Sequence, residues 1–473
     1  MANPVPGTDE MASALHDCAL LRKYDVSGPR YTSYPTAAQF AGGFDGSAFL
    51  NAVYGGVETI APLSLYIHLP FCENICYYCA CNKVVTRDRA VVRQYLDHLH
   101  KEMALLHLQL KMHHRPVTQL HWGGGTPTFL DAAEMTELMH MTAQHFSLTR
   151  DSNRDYAIEI DPRTVDRVKI DLLRGLGFNR ISLGIQDFDA DVQHAINRIQ
   201  SVDMVRDLVE YIRARSFHSL NFDLIYGLPK QDEHTLAKTL DVVIALSPDR
   251  ISYYNYAHLP ERFLSQRAID RLTLPTAEQK IRMLALITDR LTAAGYVYIG
   301  MDHFVKPDDS LALAQRDGRL ARNFQGYTIA KAQDLVGLGV SSISSFDRVY
   351  AQNATDLEAY YAALDDNHLP VAKGVVLTEE DVLRRAIIQE ILCQRSLDIV
   401  ALQHKYAIDF HSHFAASLAA LRDMEADGLL QVTPEAITVT GKGYPFLRNI
   451  CMAFDEYVQA HLQGQKIRYS KTL

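Results

Sequence analysis

Hydrophobic and polar positions follow two alternating periodicities between about residue 64 and residue 305. Short β-rich runs, from "SLYIHL" at residues 64–69 to "YVYIGMDHF" at residues 296–304, have the composition and spacing of strands. The stretches between them, such as "SVDMVRDLVEYIRARS" at residues 201–216, repeat apolar residues at helical spacing. This alternation predicts βαβ units and therefore a parallel sheet or barrel. In such a fold the functional residues lie at the C-terminal ends of the strands and in the loops that follow.

The pattern changes after about residue 375. "TEEDVLRRAIIQEILCQ" at residues 378–394 predicts a helix with a threonine cap and early acidic residues, and residues 413–458 are typical of helix, hairpin and helix. We therefore expect three parts. Residues 1–60 would form an N-terminal segment that packs on the barrel and the substrate site, residues 61–375 a β/α barrel, and residues 376–473 a helical C-terminal domain with a β-wing.

Composition and charge narrow the class of protein. The chain has 473 residues, of which 48% are hydrophobic and 22% charged, as in a soluble globular protein. A net charge of −9 and the lack of a basic stripe argue against nucleic acid and anionic membranes as partners, even though a wing occurs in some DNA-binding proteins. No apolar stretch is long enough to span a bilayer, and the N-terminus lacks the order of a signal peptide. We expect a cytoplasmic protein.

Four of the seven cysteines fall within "HLPFCENICYYCACNK" at residues 68–83. Cys72, Cys76 and Cys79 have C-x3-C-x2-C spacing, and Cys81 follows two residues later. A disulfide staple is unusual in the cytoplasm, and a structural zinc site needs a second pair of ligands that the sequence does not supply. Three thiolates can instead hold three irons of a cubane and leave the fourth iron open. The spacing therefore favours an iron–sulfur cluster over zinc.

Other residues have both a structural and a functional interpretation. The run "GGGTP" at residues 123–127 allows close approach of the backbone to a ligand, but it is also typical of a tight turn. Glu159 ends a predicted strand, where it could accept hydrogen bonds from a ligand or cap the next helix. The isolated cysteines, Cys18, Cys393 and Cys451, are interpreted as buried structural thiols.

The thiol spacing after a first strand resembles the signature of the radical S-adenosylmethionine (SAM) superfamily. Within it, "YIHLPFC", "C-x-C-N-K" and "SGPRYTSYPTA" resemble the oxygen-independent coproporphyrinogen III oxidases. Seven further segments fit that family in order, so that the resemblance runs from about residue 22 to residue 460: "HWGGGTPT", "GFNRISLGIQDF", "NFDLIYGLPKQ", "NYAHLP", "GMDHF", "RNFQGYT" and "LRNICMAFD". The implied fold is an incomplete (β/α) barrel of radical SAM type with a smaller, mostly helical C-terminal domain.

The resemblance also implies an activity, an oxidoreductase of porphyrin and haem biosynthesis. A [4Fe-4S] cluster would pass an electron to SAM, and the resulting 5′-deoxyadenosyl radical would remove hydrogen from a propionate of coproporphyrinogen III. Loss of carbon dioxide and one electron gives a vinyl group, and two such reactions give protoporphyrinogen IX. The implied partners are the substrate, a flavodoxin-like or ferredoxin-like electron donor and an unidentified acceptor, and the implied state is a monomer.

Site residues follow from the resemblance, position by position. Cys72, Cys76 and Cys79 would ligate the cluster and, with Tyr66, form the catalytic set. Two SAM molecules are implied. The cluster-bound SAM would contact Tyr66, Gly124, Glu159 and Ile343. The second SAM would contact Tyr78, Gly125, Thr126, Gln186, Arg198, Asp223 and Ala257, and Gln325 belongs to the same site.

The substrate site and the fourth thiol are less constrained. Arg30 is a candidate clamp for a propionate and Tyr31 a hydroxyl donor, although this segment could simply pack on the barrel. Cys81 could lie beside the substrate or the second SAM, or be a spare thiol. The family usually has glycine where this chain has Ala80, so a positive φ there would strain the loop and crowd the second SAM.

Two other functions remain open at this point. A haem-binding chaperone related to the family would keep the barrel and deliver haem, but such relatives resemble the first thiols only and lack the fourth cysteine and "PRYTSYP". A zinc-stabilised scaffold without catalysis would be colourless and would not bind SAM.

Overall fold

The computed structural model describes residues 8–55, 61–110, 112–330, 333–461 and 471–472. Its central feature is a large mixed sheet whose middle strands are parallel and follow one another in chain order. These six strands are β1 (Leu63–Leu69), β2 (Pro116–Gly124), β3 (Asp155–Ile160), β4 (Arg180–Gln186), β5 (Ser219–Tyr226) and β6 (Arg250–Asn255). The βαβ organisation predicted from the alternating periodicities is confirmed.

Helices connect these strands and begin where the sequence supplies caps. The main connecting helices are Arg89–Leu110, Ala132–His145, Arg167–Gly175, Val202–Ala214, Glu233–Leu246 and Ala277–Ala293, and shorter ones lie at Ala190–Ala195, Ser310–Arg316 and Leu357–Asp365. Asp131 accepts a hydrogen bond from the backbone N–H of Glu134, whose side chain accepts one from Asp131 in return. Such reciprocal caps satisfy backbone donors that the first helical turn leaves unpaired.

The parallel strands separate apolar from polar side chains by their two-residue period. On β4 and β5, Leu183 and Phe222 are fully buried in the core shared with the helices. The intervening residues Ser182, Asn221 and Asp223 line an interior cavity. The sheet therefore curves around a polar interior, while its outer face supplies the hydrophobic core.

Both edges of the sheet depart from simple strand–helix alternation. Beyond β1 lie Asp334–Leu338, Ile343–Phe346, Val349–Asn353, Val371–Val376 and Ala41–Gly42, and beyond β6 lie His303–Val305 and Val297–Gly300. The stretch at residues 296–304, predicted as one strand, is an antiparallel hairpin, because Gly300 and Met301 take φ of 146° and 55° and reverse the chain. The strand order is an open path, as expected for an incomplete barrel.

The C-terminal part is mostly helical and contains the predicted wing. Its helices are Glu379–Gln394, Ile399–Tyr406, Phe410–His413, Ala415–Ala426, Leu447–Met452 and Glu456–His461. Its three-stranded sheet is formed by Ser396–Asp398, Leu430–Val432 and Ala436–Val439. Thr378 caps the first helix, as predicted, through a reciprocal pair with Asp381.

The N-terminal segment packs on both the barrel and this part of the chain. Its helices are Thr8–His16, Cys18–Tyr24 and Gly46–Tyr54. The Tyr31 hydroxyl donates a buried hydrogen bond of 2.9 Å to Asp455. Among the isolated cysteines, Cys393 and Cys451 are buried as expected, but Cys18 is exposed, so its interpretation as a buried thiol is wrong. Across the described ranges, no helix combines the length and apolar character that crossing a membrane requires.

Candidate functional site

The thiol loop begins directly after β1, at the C-terminal edge of the sheet. Cys72 lies in a two-residue strand, Phe71–Cys72, that pairs with Val84–Val85 and closes the loop at its base. Two side chains from other loops hold its tip: Asn197 donates a hydrogen bond of 2.7 Å to the carbonyl of Ile75, and Gln266 donates one of 3.1 Å to that of Tyr78. The loop is therefore fixed by main-chain contacts, and its thiols remain available.

Two arginines lie beside the thiol of Cys76. The Nη1 of Arg198 is 3.6 Å and the Nη2 of Arg163 is 3.8 Å from its Sγ. Asp161 orients both guanidiniums through hydrogen bonds of 2.9 Å and 2.7 Å. Burial raises the pKa of the Asp161 carboxyl, but the two guanidiniums outweigh burial and hold it below its usual range. The Cys76 sulfur therefore lies within reach of two charged hydrogen-bond donors.

The fourth thiol contacts the third. The backbone N–H of Cys81 donates to the Sγ of Cys79 at 3.4 Å, and the hydrogen bond from the Cys81 thiol lowers the pKa of Cys79. Burial raises the pKa of the Cys72 thiol to about 11. Ala80 is not among the described non-glycine residues with positive φ. The strain considered for alanine at this position is therefore absent.

The glycine run at the end of β2 forms a close-fitting cradle. Gly124 has a φ of +113°, and a Cβ there would lie 2.6 Å from the ring of His68. A Cβ on Gly125 would lie 2.6 Å from the carbonyl group of Pro70. Both positions require glycine, one for conformation and space and the other for space alone. The atoms that a Cβ would meet belong to His68 and Pro70, so the close approach seen at this run is to the protein's own chain.

A chain of polar rings and a carboxylate crosses the mouth of the barrel. Tyr66 on β1 stacks on His121 on β2, with ring centroids 5.8 Å apart, and the His121 ring nitrogen lies 3.1 Å from Glu159. Glu159 also accepts a hydrogen bond of 3.1 Å from the backbone N–H of Gly124. Burial alone would lower the pKa of His121, but the hydrogen bond and charge of Glu159 raise it. The carboxylate thus keeps its charge within the barrel.

The thiol pocket opens into a cavity of about 710 Å³ inside the barrel. Four residues line both spaces and therefore mark where they meet: Tyr78, Glu159, Gln186 and Asp223. Asp223 accepts hydrogen bonds from Ser182 (2.5 Å) and Asn221 (3.0 Å), and burial raises the pKa of its carboxyl to about 6. The partners of this buried carboxylate therefore come from β4 and from its own strand, β5.

The other predicted cofactor residues divide between the two spaces. Gly124, Gly125, Thr126 and Arg198 line the thiol pocket, whereas Tyr66, Gln325 and Ile343 line the cavity. Ala257 lies outside both linings, and its carbonyl accepts a hydrogen bond of 3.2 Å from Gln266.

The predicted substrate residues are not on the cavity wall. Arg30 makes a salt bridge of 2.7 Å to Asp302, and Tyr31 is 1% exposed against Asp455. The next residue, Thr32, does line the cavity.

Several cavity residues were not singled out from the sequence. These are His121, Arg180 and Arg250, of which the two arginines lie at the first positions of β4 and β6. Arg163, which lies beside the Cys76 thiol and not on the cavity lining, was also missed. The inward phase of the strands would have found the two cavity arginines, since Arg180 has the same phase as Ser182 and Arg250 the same phase as Ser252. Both guanidiniums are already paired, Arg180 with Asp155 and Arg250 with Asp309, so they add no unpaired positive charge to the wall.

The donor set fits an iron–sulfur cluster. Three thiols occur in one loop, two guanidiniums lie beside one of them, and the Nε of Arg198 is buried without a hydrogen-bond partner. An unpaired buried donor at this position is expected where a polar ligand completes the site. Gly124 and Gly125 line the same pocket as the thiols, and this pocket leaves space for that ligand.

Comparisons with known proteins agree with this geometry. Residues 66–243 match the Radical SAM superfamily, and residues 377–446 match the HemN C-terminal domain. The oxygen-independent coproporphyrinogen III oxidase of Pseudomonas aeruginosa is 50% identical over 93% of this chain and 96% of its own. The corresponding Escherichia coli protein is 45% identical over 95% of this chain and 97% of its own.

A solved structure gives the same result. Coproporphyrinogen III oxidase (HemN) from Escherichia coli, described as a radical SAM enzyme, superposes with a TM-score of 0.88 and 44% identity. The match covers 93% of this chain and 99% of that one. The predicted fold class is confirmed. This chain belongs to the oxygen-independent coproporphyrinogen III oxidase family of the radical SAM superfamily.

Proposed function

We propose that the chain oxidatively decarboxylates two propionates of coproporphyrinogen III to vinyl groups, giving protoporphyrinogen IX in porphyrin and haem biosynthesis. Each turn removes one hydrogen atom, one carbon dioxide and one electron from a propionate. The relatives and the solved structure described above are such oxidases, so the haem-chaperone alternative is not proposed. The observation that carries the proposal is the continuity between a pocket lined by four thiols and a large cavity, joined at Tyr78, Glu159, Gln186 and Asp223.

The cofactors are a [4Fe-4S] cluster and SAM, which when bound supply one-electron reduction and hydrogen-atom abstraction. We assign Cys72, Cys76 and Cys79 as the cluster ligands, with Cys81 outside the ligand set. The Asp161 carboxylate supports this assignment, because it holds the guanidiniums of Arg163 and Arg198 against the Cys76 thiol.

We assign two groups of residues to two SAM molecules. Tyr66, Gly124, Glu159 and Ile343 face the cluster-bound SAM. Tyr78, Gly125, Thr126, Gln186, Arg198, Asp223 and Ala257 face the second, with Gln325 beside them. The charged Glu159 carboxylate can accept hydrogen bonds from an ammonium or a ribose hydroxyl, and the unpartnered Nε of Arg198 can donate to a carboxylate. Ala257 has the weakest support, since it lines neither space.

The N-terminal segment takes part in the cavity wall. Residues 1–60 complete the cavity through Thr32 and Ala37, which supports their assignment as a segment that packs on the barrel and substrate site. The barrel at residues 61–375 and the helical domain at residues 376–473 complete the proposed organisation. We further propose a monomer that receives electrons from a flavodoxin-like or ferredoxin-like donor in the cytoplasm.

The experiment is anaerobic reconstitution with iron and sulfide, followed by assay with SAM, a reductant and coproporphyrinogen III. We expect 5′-deoxyadenosine and protoporphyrinogen IX from the wild type and neither product from Cys76→Ser. Cys18→Ser is the matched control, because Cys18 is an exposed thiol outside the loop. A fully loaded wild-type protein that forms neither product would refute the proposal.

A further inference from the structure

One buried arginine beside the cavity has no carboxylate partner. Arg322, in the hairpin formed by Ala321–Asn323 and Gly326–Thr328, is 7% exposed, and its Nε and Nη1 have no hydrogen-bond partner in the described chain. Neighbouring arginines are paired with carboxylates in salt bridges: Arg30 with Asp302, Arg180 with Asp155 and Arg250 with Asp309. Among the described residues, no acid lies within ion-pair distance of the Arg322 guanidinium.

A second unpartnered group lies next to it. The Arg322 guanidinium stacks over the ring of Tyr327 at 4.7 Å, and that ring meets His303 edge-on, with centroids 5.3 Å apart. Tyr327 and His303 both line the cavity, and the Nδ1 of His303 is buried without a partner. The cavity wall at this point therefore carries an imidazole nitrogen that the described chain does not satisfy, and the Arg322 guanidinium, which is not itself on the lining, packs against Tyr327 of the same wall.

This arrangement favours an anionic ligand. Stacking uses the face of the guanidinium and leaves its in-plane N–H groups for a planar acceptor such as a carboxylate. Burial, together with the charges of Arg322 and Arg250, lowers the pKa of His303 to about 3. The imidazole is thus neutral and can donate a single hydrogen bond without adding to the buried charge. A folded protein rarely retains an unpaired buried charge unless a ligand uses it.

We propose that Arg322 and His303 form a carboxylate subsite that binds a propionate of the substrate and sets the orientation of the macrocycle in the cavity. The inference rests on the proposed function. The propionates that react must reach the residues shared with the thiol pocket. Arg322, His303 and Tyr327 do not line that pocket, so they would hold a propionate that survives in the product.

The test measures binding of coproporphyrin III, a fluorescent tetracarboxylate, to the cluster-loaded full chain. We expect Arg322→Gln to weaken binding about tenfold to a hundredfold, the usual effect of losing a charged hydrogen bond. Arg322→Lys should recover part of the affinity, because it restores the charge but not the planar fork. Arg319→Gln is the matched control, since Arg319 lies nearby in sequence and its side chain is 59% exposed. Its affinity should stay within about twofold of the wild type.

Two further measurements separate ligand binding from a structural role. The tetramethyl ester of coproporphyrin III should bind wild type and Arg322→Gln equally, because it has no carboxylate to lose. Arg322→Met, which keeps apolar contact with Tyr327, should not lower the midpoint of thermal unfolding, because the charge that it removes is unpaired. In turnover, Arg322→Gln should raise KM for coproporphyrinogen III and leave KM for SAM unchanged.

Equal affinity of wild type and Arg322→Gln for coproporphyrin III would overturn the subsite. It would also be overturned if Arg319→Gln weakened binding of coproporphyrin III as much as Arg322→Gln does, or if Arg322→Gln weakened binding of the tetramethyl ester to the same extent. If Arg322→Gln does not fold, Arg322→Lys and His303→Gln replace it, and unchanged affinity in both overturns the inference. A wild type that binds coproporphyrin III but forms no product refutes the proposed function alone. A wild type that turns over, with variants of unchanged affinity, refutes the subsite alone.

Discussion

Glu102 is a buried carboxyl that should make the stability of the chain depend on pH. It lies in the helix Arg89–Leu110 and accepts hydrogen bonds from Gly339 N–H (2.7 Å), Asn353 Nδ2 (2.6 Å) and the Tyr360 hydroxyl (2.6 Å). Burial outweighs these donors and raises its pKa from 4.5 to about 7. Between those two pH values the folded chain holds more protons than the unfolded chain, so the free energy of unfolding falls as pH rises. The shift corresponds to about 3 kcal/mol, fully present below pH 4.5 and lost above pH 7.

The perturbation is Glu102→Gln, which removes the titration and approximates the protonated carboxyl in shape. Urea unfolding of wild type and variant at pH 5, 6, 7 and 8 is followed by the fluorescence of Trp122, the one tryptophan of the chain, which is fully buried on β2. The difference in unfolding free energy between the two proteins should shift in favour of the variant by about 3 kcal/mol from low to high pH. Glu358→Gln, at an exposed position, is the control and should run parallel to the wild type. Parallel curves for Glu102→Gln would refute the reasoning.

Three further predictions test the site and the C-terminal core. Gly124→Ala should weaken SAM binding about tenfold or more, because it adds a Cβ against His68 at a φ of +113°. Equilibrium dialysis with labelled SAM measures this affinity. The control Gly175→Ala, where a Cβ meets nothing within 4 Å, should bind SAM as the wild type does. Asp161→Asn should lower the free energy of unfolding in urea by about 3–5 kcal/mol and reduce iron retention, since it leaves the buried Arg198 guanidinium unpaired. An unchanged free energy of unfolding would contradict this prediction. Phe410→Ala, at a fully buried position, should lower the free energy of unfolding by about 3–5 kcal/mol without changing the Kd of the folded protein for SAM. A higher Kd would show that the C-terminal part and the SAM site are coupled.

The elements that carry strong local signals could be predicted from the sequence. The alternation of period two and period 3.6 located β1 to β6, and Thr378 with Asp381 located the start of a C-terminal helix. The strands at residues 334–376 were not predicted, because they are short and lack the strand–helix alternation that marks the middle of the sheet. The hairpin at residues 296–304 was predicted as one strand, because nothing in the local pattern signals the positive φ of Met301.

The residues of the candidate site likewise fall into those that the sequence identifies and those that it does not. The thiol loop, the glycine cradle and Glu159 could be recognised from spacing and strand ends. His121, Arg163 and Arg322 could not, because their roles depend on residues brought together from other strands: Glu159, Asp161 and Tyr327 respectively. A charge without a partner, such as that of Arg322, is visible only once every neighbour is known.

The hairpin at residues 321–328 is a two-stranded unit separate from the large sheet, yet Phe324, Gln325, Tyr327 and Thr328 from this one unit face the cavity. In a closed barrel every strand would help to shape the cavity, so that binding a different ligand would require changes in many strands. Here the eight-residue hairpin contributes to the wall of the cavity, while the thiol loop lies on another wall. Substitutions in the hairpin can therefore change which macrocycle the cavity binds without altering the thiol loop.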